Sequence, residues 1–243
     1  QEQLLIQQSR LASMGEMIGN IAHQWRQPLS IISTLATGIK LERELGISND
    51  ENENESLDMI NQNTQYLSKT IDDFKNFFKK SNYTNTIYTD DLLARTLKLI
   101  SSRLKDNNIE IILNNENVEI DTYENELIQI YINILNNSID AFMEVNYNKY
   151  IFIETKKVNS HLIIEIKDNA GGIADDVIGK VFEPYFSTKD EKNGTGLGLY
   201  MCNEIIEKHM KGTIKAKNND KFFNDKKYHG LEFEITIPSN IEN

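Results

Sequence analysis

His23 is the first residue whose setting suggests chemistry, because it lies in the segment IAHQWRQPLSII, residues 21–32. Apolar residues recur there at alternating spacings of three and four, the heptad pattern of packed helices. If Ile21 occupies a d position, His23 falls on f, the outermost position, where its ring is open to solvent. A neutral imidazole nitrogen is a good nucleophile at neutral pH. An arbitrary polar residue at an exposed f position is the alternative interpretation.

Pro28 favours the functional interpretation of His23. The proline has no backbone N–H, so the carbonyl of Gln24 loses its helical partner, and the proline ring clashes with that carbonyl. The helix is therefore expected to bend or loosen beside the histidine. Gln24 itself carries an amide, which can orient an imidazole N–H but cannot act as a base near neutral pH.

Asn133 and Asn137 lie four residues apart in the predicted helix ENELIQIYINILNNSIDAFME and therefore share one face of it. Amide oxygens can ligate Mg²⁺ while water and phosphate fill the remaining octahedral positions. Chance pairing in an asparagine-rich sequence explains the same spacing, and it is the simpler explanation when this motif is taken alone.

Asp168 ends a predicted strand and is followed by two glycines in the sequence DNAGGI. A carboxylate at this point can accept a hydrogen bond from an exocyclic amine such as that of adenine. Gly171 and Gly172 permit a tight turn and the close approach of a ring. An ordinary Asp-Asn-Gly turn after a strand is the alternative.

A glycine-rich loop, GTGLGL, runs directly into the predicted helix GLYMCNEIIEKHM. Backbone N–H groups at the start of such a helix form an anion site, and Lys189, just before the loop, can reach a phosphate. The spacing matches neither the dinucleotide fingerprint, because Leu199 occupies its sixth position, nor a P-loop. A solvated lysine is the alternative for Lys189. The candidate phosphate contacts in the loop are Gly194, Thr195, Gly196, Leu197 and Gly198.

The composition bounds the class of protein. The 243 residues carry a formal net charge of −11 with a pI near 4.9, which argues against a nucleic-acid or anionic-membrane partner. Cys202 is the single cysteine, which excludes an internal disulfide and suits a reducing cytosol. No apolar stretch approaches the length that spans a bilayer, and no signal-peptide pattern is visible. Because the chain begins with Gln1, we expect a cytoplasmic fragment, anchored to the inner membrane only through a missing upstream segment.

The first region, roughly residues 1 to 80, predicts two heptad helices joined by an acidic turn, GISNDENENES, that begins at Gly46. Such a hairpin buries only one seam, so two copies are expected to complete a four-helix bundle as a homodimer. The heptad positions of the first helix are Leu4, Leu11, Met14, Ile18, Ile21, Trp25, Pro28, Ile32, Leu35 and Ile39. Those of the second helix are Leu57, Ile60, Thr64, Leu67, Ile71, Phe74 and Phe78.

From about residue 88 the pattern changes to short strands that mostly follow one another, with three helices. It predicts an α+β chain in which an α/β sandwich, with helices on one face of a mixed sheet, follows the hairpin. The predicted helices are the capped segment TDDLLARTLKLISSRL and the two helices quoted above. The predicted strands are IEIIL, YIFIETKKV, HLIIEIKDN, GTIKAKN and LEFEITIP. We place the domain boundary so that residues 1–82 form the hairpin and residues 83–243 the sandwich.

The order of these motifs resembles that of the sensor histidine kinases of two-component systems. NILNNSIDA is similar to their N box, DNAGGI to the first glycine box, FEPYFSTK to the phenylalanine box and GTGLGL to the second. The second region thus resembles a Bergerat-type ATP-binding domain, the fold shared with DNA gyrase, Hsp90 and MutL. The segment HQWRQPL stands where the phosphoacceptor box of the dimerisation hairpin stands.

The resemblance implies roles for individual residues. His23 would accept phosphate from ATP and pass it to an aspartate on a response-regulator receiver domain. Asn137 would be the principal Mg²⁺ ligand, with Asn133 as its helper. Asp168 would read the adenine amine and Gly172 would let the ring sit close. Gly194, Gly196 and Gly198 would frame the phosphates, Lys189 would hold one of them, and residues 174–196 would form the lid.

Three positions depart from the family pattern, and a fourth decides between branches of the fold. Gln24 and Gln27 replace a proton-accepting carboxylate and a water-positioning Thr or Asn, and Ala170 replaces the first glycine of its box. Asn133 stands where hydrolysing relatives such as MutL have Glu, which favours transfer to a side chain over hydrolysis. Gln24 keeps open a second function, that of a nucleotide-binding signalling scaffold with weak or no kinase activity.

Overall fold

The computed structural model describes residues 22, 25–47, 49–77, 83–142, 145, 147–188 and 196–241. They fall into two compact units, one within residues 16–79 and one within residues 80–243.

The first unit is a helical hairpin. Helix α1 covers residues 25–44, and α2 covers Asp50–Phe77. Gly46 ends α1 with a φ of +71°, and the N–H of Ile47 reaches back to the carbonyl of Glu42 at 3.0 Å. The side chain of Asn49 accepts the N–H of Glu51 at 2.9 Å and so caps α2. The acidic segment predicted as a turn is therefore mostly the start of α2, where negative charge complements the helix dipole.

The seam of the hairpin follows the predicted heptad in α1 and departs from it in α2. Pro28 is buried inside an uninterrupted helix, whereas the loosening expected at Gln24 lies outside the described residues. The less exposed positions of α1 include Trp25, Pro28, Ile32, Leu35 and Ile39, as predicted. In α2 they are Glu53, Ser56, Ile60, Asn63 and Leu67. Leu57 and Thr64 are exposed in the single chain, so the seam within the hairpin runs one residue earlier than predicted at these two positions.

The second unit is an α/β sandwich. Its elements in chain order are β1 (Asn85–Tyr88), α3 (Thr89–Asp106), β2 (Ile109–Asn115), β3 (Glu119–Thr122), α4 (Glu124–Ala141), β4 (Lys149–Val158), β5 (His161–Asp168), α5 (Asp175–Ile178), α6 (Gly198–Glu204), a π-helical turn (Ile205–His209), β6 (Thr213–Phe223) and β7 (Lys226–Pro238). The main sheet has the order β2-β4-β5-β7-β6, in which β2 and β4 are parallel and the other neighbours antiparallel. The predicted mixed sheet is confirmed.

The core lies between this sheet and its helices. Alternate residues of the central strands are fully buried, as in Ile151 and Ile153 of β4 and Ile164 and Ile166 of β5. Helix α4 is buried along almost its whole length and packs between α3 and α6. A helix that is apolar on nearly all sides is suited to this central position. It therefore carries its polar residues, including Asn133, into the interior.

Two features were not predicted at the start of this unit. Strands β1 and β3 pair as a separate two-stranded antiparallel sheet. Helix α3 has no side-chain cap at Tyr88. Instead, the hydroxyl of Thr89 donates to the carbonyl of Glu116 at 3.1 Å and accepts the N–H of Val118 at 2.9 Å. Thr89, the first residue of the segment predicted as a capped helix, thus joins α3 to the β2–β3 connection.

The β6–β7 hairpin is longer than predicted. Its turn residues Asn224 and Asp225 both have positive φ, the geometry of a two-residue hairpin turn. Pairing of β7 with β5 stops at Glu232 opposite Lys167, so the hairpin extends beyond the end of β5. This overhang runs past the loop that follows Asp168.

Candidate active site

Seven of the predicted site residues lie in the described part of the second unit. They are Asn133, Asn137, Asp168, Gly172, Gly196, Leu197 and Gly198. The predicted positions His23, Gln24, Lys189, Gly194 and Thr195 lie outside the described residues. The structure therefore describes the part of the predicted nucleotide site that would hold the adenine base, and the start of helix α6.

Asn133 joins the N-box helix to the second glycine box. Its side chain is 7% exposed, and its Nδ2 donates to the carbonyl of Gly198 at 3.3 Å and to Sγ of Cys202 at 3.7 Å. Leu197, the N-cap residue of α6, is buried, and its carbonyl accepts the N–H of Met201. The buried amide nitrogen is thus turned toward α6 and fixes α4 against the start of that helix.

Asn137 follows one turn later on the same face of α4 and is half-buried. The neighbouring Asn136 has a different contact, because its Oδ1 accepts a hydrogen bond from Arg103 at 2.7 Å. The same guanidinium pairs with Asp140 at 2.6 Å and so ties α4 to α3. Asn136 therefore packs α4 against α3, whereas Asn133 contacts α6 from another face of the same helix.

Asp168 is buried at the end of β5, with 2% of its surface exposed. Its Oδ1 accepts the N–H groups of Ala170 at 3.0 Å and Leu231 at 3.2 Å, and its Oδ2 accepts the hydroxyl of Ser138 at 3.1 Å. Burial raises the pKa of this carboxyl above its usual value, and the three hydrogen bonds act in the opposite direction. Ser138 and Leu231 were missed by the sequence analysis, although Ser138 lies next to Asn137.

Asn169 closes the end of the sheet immediately after Asp168. Its buried side chain accepts the N–H of Tyr150 at 2.7 Å and donates to the carbonyl of Asn148 at 2.9 Å. Its own carbonyl accepts the hydroxyl of Tyr147 at 2.7 Å. The amide of one side chain thereby replaces the next rung of the β4–β5 ladder.

The glycines of the loop have the conformations that require them. Gly171 and Gly172 have φ of +96° and +72°, whereas Ala170 is not among the residues with positive φ. The methyl group of Ala170 is therefore compatible with the loop. A Cβ at Gly172 would lie 2.4 Å from Oδ1 of Asn218, so the close neighbour at this position is a side chain of β6.

The phenylalanine box is anchored by one aromatic ring and by backbone. Phe182 packs edge-to-face on Phe233 of the core, with ring centroids 6.4 Å apart. Tyr185 has a φ of +63° and is exposed. Its backbone lies close to Gly196, because a Cβ at Gly196 would lie 2.4 Å from the carbonyl carbon of Tyr185.

The remaining histidines and the cysteine do not form a cluster with one another. His161 is exposed, His209 approaches the buried Glu126 with Nδ1 3.1 Å from Oε2, and His229 approaches Asp220 at 2.7 Å. Within the described residues, no group of three or more His, Cys, Asp or Glu side chains could hold a metal ion. Cys202 is fully buried, which raises its pKa to about 12. None of the helices in the described ranges is long and apolar enough to cross a membrane.

Two family models match the chain. Residues 13–82 match the His Kinase A (phospho-acceptor) domain, and residues 122–241 match the histidine kinase-, DNA gyrase B-, and HSP90-like ATPase. The second range contains α4, the end of β5 and α6, which make the contacts just described. The chain therefore belongs to the sensor histidine kinases.

Individual relatives agree with the family models. The chain is 30% identical over 213 residues to the sensor histidine kinase ZraS of Salmonella typhimurium, covering 86% of this chain and 44% of that protein. It is 26% identical over 245 residues to the sensor protein FixL of Bradyrhizobium diazoefficiens, covering 98% of this chain and 46% of that protein. The chain thus spans less than half the length of these relatives.

Solved structures show the same fold. The catalytic domain of histidine kinase ThkA matches with a TM-score of 0.55 and 24% identity, covering 65% of this chain and 99% of that chain. ThkA in complex with the response regulator protein TrrA matches with a TM-score of 0.52 and 22% identity, covering 96% of this chain and 64% of that chain.

Proposed function

We propose that this chain phosphorylates itself on His23 with ATP and passes the phosphate to an aspartate of a response-regulator receiver domain. The observation that carries the proposal is the double attachment of α4. Asn133 donates to the carbonyl of Gly198 at one point, and Ser138 donates to Asp168 five residues further on. One helix thus holds together the glycine box proposed for the phosphates and the carboxylate proposed for the base.

At the base end, Asp168 would accept the adenine amine. Its two oxygens are already fixed by hydrogen bonds, so the carboxylate need not reorganise when the amine arrives. The glycines at 171 and 172 form the turn beside it. At the phosphate end, backbone N–H groups of residues 194–198 and Lys189 would contact the phosphates at the start of α6.

Mg²⁺ fits the donor set at the α4 face, since amide oxygens are among its protein ligands and phosphate and water complete its coordination. We assign Asn137 as the principal ligand and Asn133 as its helper. The bound ion would neutralise part of the phosphate charge.

At the reacting end, a neutral nitrogen of His23 would attack the γ-phosphorus in line, with departure of ADP. Gln24 can orient the ring through its carbonyl but cannot take the ring proton. Asn133, in place of a glutamate, cannot activate water as a general base. Transfer to His23 is therefore favoured over hydrolysis.

The hairpin is proposed to act as a homodimer, in which two copies form a four-helix bundle. In the single chain, α1 and α2 leave large apolar side chains exposed, among them Leu29 at 53%, Leu41 at 53% and Leu57 at 47%. A second copy would bury such residues.

The receiver domain is expected to pack on the bundle below His23, and the ThkA complex with its regulator supports such a partner. We assign residues 1–82 to this bundle and residues 83–243 to ATP binding.

Incubation with γ-labelled ATP and Mg²⁺ tests the proposal. The wild-type chain should take up label that is acid-labile and alkali-stable, and His23→Ala should take up none. His161→Ala, which removes an exposed histidine of the second unit, is the matched control and should be labelled like the wild type. Free phosphate released equally by wild type and His23→Ala would instead indicate a hydrolase.

A nucleotide-binding scaffold is the second candidate, favoured by Gln24 in place of a carboxylate. It predicts that wild-type protein binds ATP but takes up no label. Testing the same chain dimerised through a fused upstream coiled coil would separate a scaffold from a kinase that lacks its activating segment. Persistent binding without labelling in both forms would establish the scaffold.

A further inference from the structure

One rung of the β6–β7 ladder holds both ends of the loop formed by residues 168–173. Asn218 of β6 is paired with Leu231 of β7. The N–H of Leu231 donates to Oδ1 of Asp168 at the start of the loop. The side chain of Asn218 accepts the N–H of Ile173 at 3.0 Å and donates to its carbonyl at 2.7 Å, at the end of the loop. An asparagine amide thus matches both polar groups of one residue, as a neighbouring strand would.

The middle of the loop is held by the same hairpin. The N–H of Gly171 donates to the carbonyl of His229 at 3.2 Å. The position of a Cβ on Gly172 is occupied by the amide of Asn218. A Cβ on Gly230 would lie 1.9 Å from the carbonyl oxygen of Asp168. The backbone of β7 therefore packs directly against the start of the loop, with no room for a side chain between them. The ring of His229 lies further from the Cβ position on Gly172, with Nε2 3.2 Å away, so removal of the Asn218 amide would remove the nearest side chain beneath Gly172.

Asn218 also contacts the segment after the loop. Its Nδ2 lies 3.3 Å from Oδ1 of Asp175, the first residue of α5. Asp175 falls within residues 174–196, the range proposed as the lid. A single half-buried side chain of β6 thus contacts both the base loop and the beginning of the lid.

We propose that Asn218 is a positioning residue for base recognition, which fixes the end of the 168–173 loop so that Asp168 and Gly172 present a preformed site to adenine. This inference rests on the proposed function, because it assumes that the loop binds the base of ATP. It predicts a specific defect: selectivity for the base falls while the phosphate end, held by α4 and α6, is unchanged.

The test compares Asn218→Ala with Asn219→Ala in the full chain. Asn219 is the matched control because it is the next residue on the same strand, with its side chain donating to Glu232 on the opposite face of the sheet. Dissociation constants are measured by calorimetry with Mg²⁺ for ATP and for inosine triphosphate, which has the same phosphates but a carbonyl in place of the exocyclic amine.

We expect Asn218→Ala to weaken ATP binding about 30-fold, since it removes two hydrogen bonds that each contribute roughly 1 kcal/mol to the ordered loop. Binding of inosine triphosphate should change little, so the preference for ATP should shrink. Asn219→Ala should leave both constants at their wild-type values. The conservative variant Asn218→Asp keeps the size of the side chain and the acceptor for Ile173 but places a carboxylate against Asp175. Its ATP binding should recover in part when Asp175→Asn is added.

Several outcomes would overturn the inference. Equal weakening of both nucleotides would show that Asn218 is only a brace for the hairpin. Unchanged selectivity in Asn218→Ala would show that the loop is preformed without it. Should that variant fail to fold, the Asn218→Asp series carries the same expectation. Wild-type protein that bound neither nucleotide would refute the proposed function, whereas a selective wild type with equally selective variants would refute the inference alone.

Discussion

Asp168→Asn is expected to make the protein more stable and at the same time unable to recognise adenine. The substituted amide has the shape of the carboxyl, so its Oδ1 can still accept the N–H groups of Ala170 and Leu231. Its Nδ2 can donate to Oγ of Ser138, which is 3.1 Å from the carboxyl oxygen that it replaces. All three contacts survive, but the buried negative charge is removed.

The direction of the stability change follows from the pKa of Asp168, which burial raises above 3.8. A carboxyl with a raised pKa holds its proton more tightly in the folded chain than in the unfolded chain. Its contribution to the free energy of unfolding is full below pH 3.8 and is lost as the pH rises through the folded pKa. At pH 7 the buried charge therefore lowers the free energy of unfolding of the wild type by its full amount, and it does not lower that of Asp168→Asn. The stability difference between them should close as the pH falls.

The size of both effects can be measured on the same samples. A gain of about 1 kcal/mol would raise Tm by about 2–4 °C in a domain of this size. ATP binding should weaken by roughly 10- to 100-fold, because a hydrogen bond to a charged group contributes about 1.5–3 kcal/mol. Thermal unfolding from pH 3 to 8 and calorimetric titration with ATP give the two quantities.

Asp140→Asn is the matched control for this experiment. Asp140 lies on the same helix as Ser138 but pairs with Arg103 at 2.6 Å. Its replacement removes a half-buried ion pair, so the protein should become less stable at pH 7 while ATP binding is retained. A loss of stability in Asp168→Asn at pH 7, or undiminished ATP binding, would refute the reasoning on Asp168.

Three further changes test other parts of the site. Gly196→Ala should weaken ATP binding at least tenfold, because φ of +63° disfavours alanine and its Cβ would meet the backbone of Tyr185; calorimetry measures this, and wild-type affinity would contradict it. Ala170→Gly should leave ATP affinity within about twofold and lower the free energy of unfolding by no more than about 1 kcal/mol, since Ala170 has no positive φ; a marked gain in affinity would show that the methyl group obstructs the base. Gln24→Glu should increase the rate of His23 labelling, up to about 100-fold, by supplying a proton acceptor; an unchanged initial rate would show that another group takes the proton.

The sequence predicted the elements that have a clear period and a continuous apolar pattern. Helix α4 and the central strands could be recognised because burial repeats regularly along them. The register of α2 within the hairpin could not be recognised, because hydropathy favours Leu57 as the seam residue, whereas Ser56 and Asn63 are the less exposed residues. A polar residue can lie on a seam between two helices without interrupting it, and hydropathy alone does not show this.

In the candidate site, too, some residues could be predicted from the sequence and others could not. Asn133, Asp168 and Gly172 could be proposed as site residues from the sequence, because their neighbours form recognisable motifs. Leu231 and Asn218 could not, since they reach the loop from a hairpin more than forty residues away, and a backbone N–H carries no signature in the sequence. The positive φ of Tyr185 was also unpredictable, because tyrosine rarely adopts this conformation.

The side chain of Asn169 ends the hydrogen bonding of the sheet at the point where the loop begins. Since its amide satisfies Tyr150 and Asn148, the sheet is complete at that residue and does not depend on the conformation of the next four. Residues 170–173 can therefore vary in sequence, and even in length, without fraying the strands behind them. Such a boundary lets the loop be redesigned from residue 170 onward, while Asp168, the proposed acceptor of the adenine amine, stays on the sheet side as a separate determinant of base preference.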